Sequence, residues 1–239
     1  EDLVFNVKDG EIFFWDASIN VSSDPADAYG RAVTLASLSS DATCPTVAKQ
    51  VMVSDVDRHI IAFGCDPEND IGNQDPLLIR FSDQEDVLVW QTLETNTAGD
   101  LRIGTGSKIV MAVETRQQIL VWTDKSLHAM QYIGTPYTFG ISMLSENITI
   151  AGPKAAVAVD DSVFWMGSNE FYTYNGAVQR IPCTVRDYIF SDFNIEQYEK
   201  VTAGVNSAFG EVWWFYCSAD SIDNDRYVVY NYQQQIWYY

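Results

Sequence analysis

The side chains able to do acid–base, metal or nucleophilic chemistry are unevenly supplied in this sequence. It carries 33 Asp and Glu residues but only two histidines, His59 and His128, and four cysteines, Cys44, Cys65, Cys183 and Cys217. Asp55, Asp57 and His59 alternate along SDVDRH, and on one face of a strand they would present three ligating groups. Every strand alternates, however, and three polar residues at a strand end read first as a solvated edge. Asp220, Asp223 and Asp225 crowd the 218–225 loop. Without the glycine and closing glutamate of a calcium loop, they read as a polar turn. The cysteines show no CxxC spacing and no nearby histidine pair, so no zinc site is expected. They read as small buried hydrophobes, too scattered to argue for an oxidising compartment.

Phosphate and nucleophile signatures fail on their spacing. Gly99 and Gly104 have the separation of a phosphate loop, but Thr105 stands where the lysine belongs, and no long helix follows. The IGTGSK stretch therefore reads as a flexible turn. No GxSxG elbow occurs, and His128 lies between apolar neighbours in SLHAMQYI, as a packed histidine would. Ser82, Asp83 and Trp90 approach the box of sialidase-type propellers but lack its glycine. Asn20 and Asn147 match the glycosylation acceptor pattern, which is common by chance. The sequence assigns no catalytic, cofactor-binding or metal-binding residue, and no enzyme is expected.

The elements that would position these residues are short strands. Between Ala155 and Ile181, four apolar or alternating runs (AAVAV, SVFWM, EFYTY, AVQRI) are separated by turns at Asp160-Asp161, 167–169 and Asn175-Gly176. Asn-Gly between alternating runs predicts a type I′ hairpin, with positive φ at both residues. Asp9-Gly10 predicts another of the same type. A second group comprises VAKQVMV, HIIAFGC, PLLIRFS and VLVWQTL, interrupted by a polar loop at 66–75 and followed by a connector at 96–106. A third comprises KIVMAVE, QILVWT, SLHAMQYI and, after a bend at 136–140, ISMLSENITI. KVTAGV, EVWWFYC, RYVVYNY and QIWYY close the chain. Residues 20–41 read as a long loop. Only 184–200 has helical character, with Val185, Tyr188 and Ile189 on one face and Asp192 or Asn194 as a cap.

The second strand of each group ends in an aromatic: Trp15, Phe63, Trp122, Trp165 and Trp213, at spacings of 48, 59, 43 and 48 residues. The expected fold is all-β, a propeller-like array of four-stranded antiparallel meander blades. Its approximate units are 1–45, 46–97, 107–150, 155–183 and 200–239. A β-sandwich also has short strands but gives no reason for an aromatic to recur at this interval. The chain opens without Met almost inside one strand and stops inside another, as a fragment of a longer protein would.

Hydrophobic residues make up 47% of the chain, too many for disorder, and the 13 Tyr, 12 Phe and 7 Trp suit pleated sheet. No run approaches transmembrane length and no signal peptide opens the chain. The net charge of −19 argues against a duplex-binding protein that neutralises phosphates. It serves either solubility or a surface that faces nucleic acid without holding it. Of the aromatic clusters, Trp213–Tyr216 alternates: Trp213 and Phe215 face one way, Trp214 and Tyr216 the other. With both faces covered, packing between blades is expected; a sugar-stacking platform is the alternative.

From Thr95 onward the chain resembles a structural family of tailed bacteriophages. The strings are NTAGDLRIGTGSKI, QILVWTDKSLHAMQYIGTPYTFGI, NITIAGP, VFWMG, FYTYNG, RIPCTVRDYIF and EVWWFYCSADSIDNDRYVVYNYQQQIWYY. VFWMG and the EVWWFY…NDRYVVYNY block carry the resemblance most specifically, while SDVDRH and LLIRFSDQED extend it weakly into the first ninety residues. The family comprises the tail tubular (nozzle) or packaged-DNA-stabilisation proteins of short-tailed phages. The resemblance implies a propeller-like subunit forming a ring with other copies of itself beneath the portal and adaptor. Such a ring closes the DNA exit and conducts DNA during ejection without sequence-specific binding. It also implies a virion location after assembly in the host cytoplasm, no cofactor and no catalytic residue. A lumen rich in carboxylates would repel phosphate and let DNA slide, although which acidic residues would line it is not legible. The alternative from another class is a carbohydrate- or receptor-binding propeller at the tail tip.

Overall fold

The computed structural model describes residues 2–17, 31–39 and 42–239. Much of the expected 20–41 loop and the Asn20 acceptor motif lie outside the described residues. The fold is all-β, with five antiparallel meander sheets in chain order. The first has three strands, β1 (Leu3–Asn6), β2 (Ile12–Trp15) and β3 (Val33–Thr34). The second has β4 (Ala48–Val53), β5 (Ile60–Cys65), β6 (Leu78–Phe81) and β7 (Gly99–Arg102). The third has β8 (Ile109–Glu114), β9 (Ile119–Thr123), β10 (Ser126–Gly134) and β11 (Thr138–Glu146). The fourth has β12 (Ala156–Val159), β13 (Ser162–Met166), β14 (Phe171–Tyr174) and β15 (Val178–Ile181). The fifth has β16 (Thr202–Asn206), β17 (Glu211–Tyr216), β18 (Arg226–Asn231) and β19 (Ile236–Tyr238).

Several local expectations change. VLVWQTL is not a strand: the fourth strand of the second sheet is β7, inside the expected connector. Val87, Leu88 and Trp90 are apolar because they pack on the core, whereas 91–93 are exposed. Trp90 is 1% exposed, its indole N–H donates to the Val87 carbonyl at 2.9 Å, and the Arg80 guanidinium lies 5.9 Å from its ring. β11 begins at Thr138, so the bend before it is shorter than expected. Neither predicted type I′ turn forms. Of Asn175 and Gly176 only Gly176 has positive φ, in a three-residue loop between Tyr174 and Val178. Of Asp9 and Gly10 only Asp9 does, and Gly10 instead bridges to Ala48. The helical segment resolves into α2 (Arg186–Ser191), which buries Ile189, and a 3₁₀ turn at Ile195–Lys200 capped by Asn194. The loop after β3 adds a single helical turn, α1 (Leu35–Leu38), whose Leu35 is buried.

The described chain divides into two compact units. The first comprises Glu1–Ile109 and Met130–Ile141. Its core joins Ile12, Leu35, Ala48, Ile60, Ala62, Leu78 and Trp90. Asn6 ties the first two sheets together, donating to the Ala48 carbonyl and accepting from the Val51 N–H. The polar loop at 66–75 is wound around one carboxylate. Asp66, fully buried, accepts from the N–H groups of Thr46, Val47 and Gly72 and from the Thr46 hydroxyl.

The second unit comprises Val110–Ala129 and Ser142–Tyr239. Here the fourth sheet is covered on both faces, which alternation along its strands makes possible. Trp165 meets Trp122 of β9 on one face; Phe171 meets Trp214 of β17 on the other. Gly167 makes the β13–β14 turn tight: a Cβ there would lie 2.7 Å from the Tyr172 ring. The recurring aromatic is buried at Phe63, Trp122 and Trp165. In the fifth sheet the buried member is Trp214 rather than Trp213, and Trp15 is 38% exposed. A shift of one residue moves a side chain to the other face of a sheet, so ending the EVWW run at Trp213 assigns the wrong indole to the core.

Candidate functional site

The residues singled out for chemistry are placed for structural work. Asp55 and Asp57 lie in a turn, closed by Arg58 N–H on Ser54 O and Ser54 N–H on His59 O at 2.9 Å each. They do not alternate with His59 along a strand. His59 is fully buried, with Nδ1 2.7 Å from the Ser82 carbonyl, where it must donate. Its ring is enclosed by Phe81, Tyr132 and Phe139 at 5.2–6.2 Å. His128 Nε2 lies 2.9 Å from Ser126 Oγ, which lies 2.7 Å from Thr123 Oγ1. A serine bonded to an imidazole is the first half of a nucleophile. Ser126 is fully buried and His128 nearly so, however, and burial pushes the imidazole pKa down. The pair braces the β9–β10 turn beyond reach of a substrate.

The carboxylates behave alike. Asp225 accepts from Ser218 N–H at 2.8 Å and Ser218 Oγ at 2.7 Å, while Asp223 sits 3.6 Å from Lys200 Nζ. The two are spent on different partners. Asp83 accepts from Thr97 N–H, Thr97 Oγ1 and Gln84 N–H, and Ser82 Oγ accepts from Ile60 N–H. Together they close the second sheet's loops. Gly99 begins strand β7, and strand β8, not a helix, follows Lys108. Cys44, Cys65 and Cys217 are buried and Cys183 half-buried, none of them in a disulfide. Burial pushes the Cys65 thiol up to about 12 and Cys183 to about 11, which removes the reactive thiolate at neutral pH. Asn147 is exposed, in a left-handed conformation at the end of β11.

The aromatic clusters divide in a way that alternation alone missed. Trp214 and Tyr216 are buried, but the opposite face of the fifth sheet is open: Phe215 is 39% and Tyr227 43% exposed. The expectation that both faces are covered therefore fails for this sheet. On the open face the Trp213 ring stacks on Tyr227 at 5.2 Å and lies parallel to Phe215 at 6.0 Å. Glu211 anchors it, accepting from Trp213 Nε1 at 3.0 Å and from the Tyr238 hydroxyl. That hydrogen bond holds the Tyr238 phenol up to about 12. Gly204, directly across from Trp213 on β16, leaves open space beside the indole. The result is a rigid, half-wet aromatic surface fixed by one carboxylate, suited to stacking against another flat apolar surface.

No family model matches the chain, and no curated protein matches it.

Proposed function

We propose that this chain is a structural component of a bacteriophage tail, a propeller-like subunit of the nozzle or hub ring. The ring closes the DNA exit and conducts DNA during ejection. Its partners are other copies of itself, the adaptor or portal above it, further tail proteins and the passing DNA. Assembly takes place in the host cytoplasm and the product resides in the virion. One observation carries the reading: in the second unit consecutive meander sheets stack face to face through recurring aromatics, Trp122 on Trp165 and Phe171 on Trp214. Serial stacking of this kind is how propeller blades bury their faces. The most specific of the resembling strings, VFWMG and the EVWWFY…NDRYVVYNY block, lie in this same unit, and both histidines and three of the four cysteines are buried. The charge of −19 supplies the mechanism, since carboxylates facing a lumen repel phosphate and prevent adhesion.

A second reading, a carbohydrate- or receptor-binding propeller at the tail tip, is favoured by the open Trp213, Phe215 and Tyr227 face. Peptide mass spectrometry of density-purified particles separates the two. The tryptic peptide from Val201 to Arg226 is expected at a few to a dozen copies per particle (about one ring) if the subunit is a nozzle or hub component. Its absence from particles, with abundance in the lysate, would overturn the virion assignment.

A further inference from the structure

The fourth and fifth sheets of the second unit enclose a cleft of about 330 Å³, within the range of small-molecule sites. Its wall is aromatic. Phe164 of β13 and Tyr232, just beyond β18, lie nearly parallel with centroids 5.7 Å apart, and Tyr230 is 6.2 Å from Phe164. Phe164 and Tyr230 are buried and Tyr232 half-buried, so the wall is set before any ligand arrives.

Strand pairing brings polar side chains to the same place. Phe164 opposes Thr173, which opposes Gln179, so β13, β14 and β15 send one row of side chains toward the fifth sheet. Phe171, on the same face of β14 as Thr173, meets Trp214 of β17. Ser162, Asn175 and Gln235 complete the polar lining from strand ends and turns. These five side chains, and the hydroxyls of Tyr230 and Tyr232, have no hydrogen-bond partner among the described residues. Their bonding capacity is open to a ligand.

The cleft is also neutral, in a chain with 33 acidic residues. No carboxylate lines it. Arg180, its one charged lining residue, belongs to the other face of the fourth sheet. It opposes Tyr172, whose ring stacks on Trp165, and its guanidinium lies 4.0 Å from Glu170. No charge therefore points into the cleft to balance an ionic ligand. What fits is an uncharged molecule with one apolar face and several groups that both donate and accept hydrogen bonds.

We propose that this cleft binds a neutral saccharide, a pyranose unit of an uncharged glycan. The aromatic wall receives the C–H face of the ring, and the hydroxyl and amide side chains, each able to donate and accept, take its hydroxyls. A nucleotide fits less well. Phe164 and Tyr232 stack on each other and leave no slot between them for a base, and no cation meets a phosphate. The assignment rests on the second unit alone and stands whether or not the chain forms a ring. It places sugar recognition between two sheets rather than on the open Trp213 face.

The test is ligand-observed NMR titration of the whole chain with maltotriose, cellotriose, galactotriose and chitotriose, and with trigalacturonate and UMP as anionic probes. At least one neutral trisaccharide should bind with a Kd of about 10 mM or below, a weak-site affinity. It should bind at least about tenfold more tightly than either anion, because burying an unpaired charge is costly. Gln179→Ala, at an exposed position, and the near-isosteric Thr173→Val should keep the melting temperature. Each should weaken that saccharide about three- to tenfold, the value of one neutral hydrogen bond. No binding of any neutral trisaccharide at about 10 mM, equal or tighter binding of trigalacturonate or UMP, or an affinity that both variants leave unchanged would each overturn the proposal.

Discussion

Trp122 and Trp165 meet edge to face, with ring centroids 5.3 Å apart and planes at 70°. Both are fully buried, and each occupies the second strand of its sheet. Their environments differ at one atom. Trp165 Nε1 donates to the Thr149 carbonyl at 3.2 Å, whereas Trp122 Nε1 has no partner among the described residues.

That difference predicts unequal responses to one substitution. Trp165→Phe leaves a cavity and strips the Thr149 carbonyl of its donor, and should cost about 2–4 kcal/mol. Trp122→Phe leaves a similar cavity but relieves a buried, unpaired N–H, and should cost about 1–2 kcal/mol less. Urea denaturation of both variants measures the difference. Equal losses would mean that the Trp122 indole finds a partner in solution.

Adjacent tryptophans on β17 should respond very differently to truncation. Trp214 is fully buried and bonded to the Ala155 carbonyl at 3.0 Å, so Trp214→Ala should cost about 3–5 kcal/mol. Trp213 loses only half-exposed ring contacts, so Trp213→Ala should cost about 1 kcal/mol. Thermal melts of the pair suffice, and the reverse order would show that the fifth sheet is paired one residue out of register.

Asp66 is the organising group of the 66–75 loop. Asp66→Ala leaves the Thr46, Val47 and Gly72 N–H groups without their acceptor, at a cost of at least about 3 kcal/mol. Limited proteolysis should then cut first between 67 and 74. Retention of wild-type resistance would show that water replaces the carboxylate.

Acid should release two turns. Asp225 is held below the usual carboxylate range by the Ser218 N–H and hydroxyl. For Asp83, partial burial pushes upward, but hydrogen bonds from Thr97 and Gln84 outweigh it and hold the pKa low. A lowered folded-state pKa contributes stability above the unfolded value of about 4, and that contribution disappears as pH falls through the folded value. Amide shifts of Ser218 and Thr97 followed from pH 6 downward should therefore titrate below about pH 4. Midpoints at or above the ordinary aspartate value would show that these hydrogen bonds do not form in solution.

The sheets were largely legible in the sequence, because turn residues punctuate short apolar runs such as SVFWM and EVWWFY. What was not legible has specific causes. Residues 87–93 look like a strand because Trp90 is buried, yet burial alone sets no pairing, and the polar GDLR run took the edge instead. Neither Asn175-Gly176 nor Asp9-Gly10 reveals that the next residues lengthen the loop. The open aromatic face of the fifth sheet was hidden because alternation says which residues share a face but not which face is covered. The stack of Phe164 on Tyr232 was invisible for a similar reason: the two lie far apart in the chain, and nothing local joins them.

The central claim is that the chain belongs to the DNA-exit end of a virion. Immunogold electron microscopy of purified particles, with antibodies raised against this chain, tests it most directly. Label confined to the single tail-bearing vertex, at the neck or nozzle, is the predicted result. Particles that remain unlabelled while the lysate reacts, or label spread over the capsid, would contradict it.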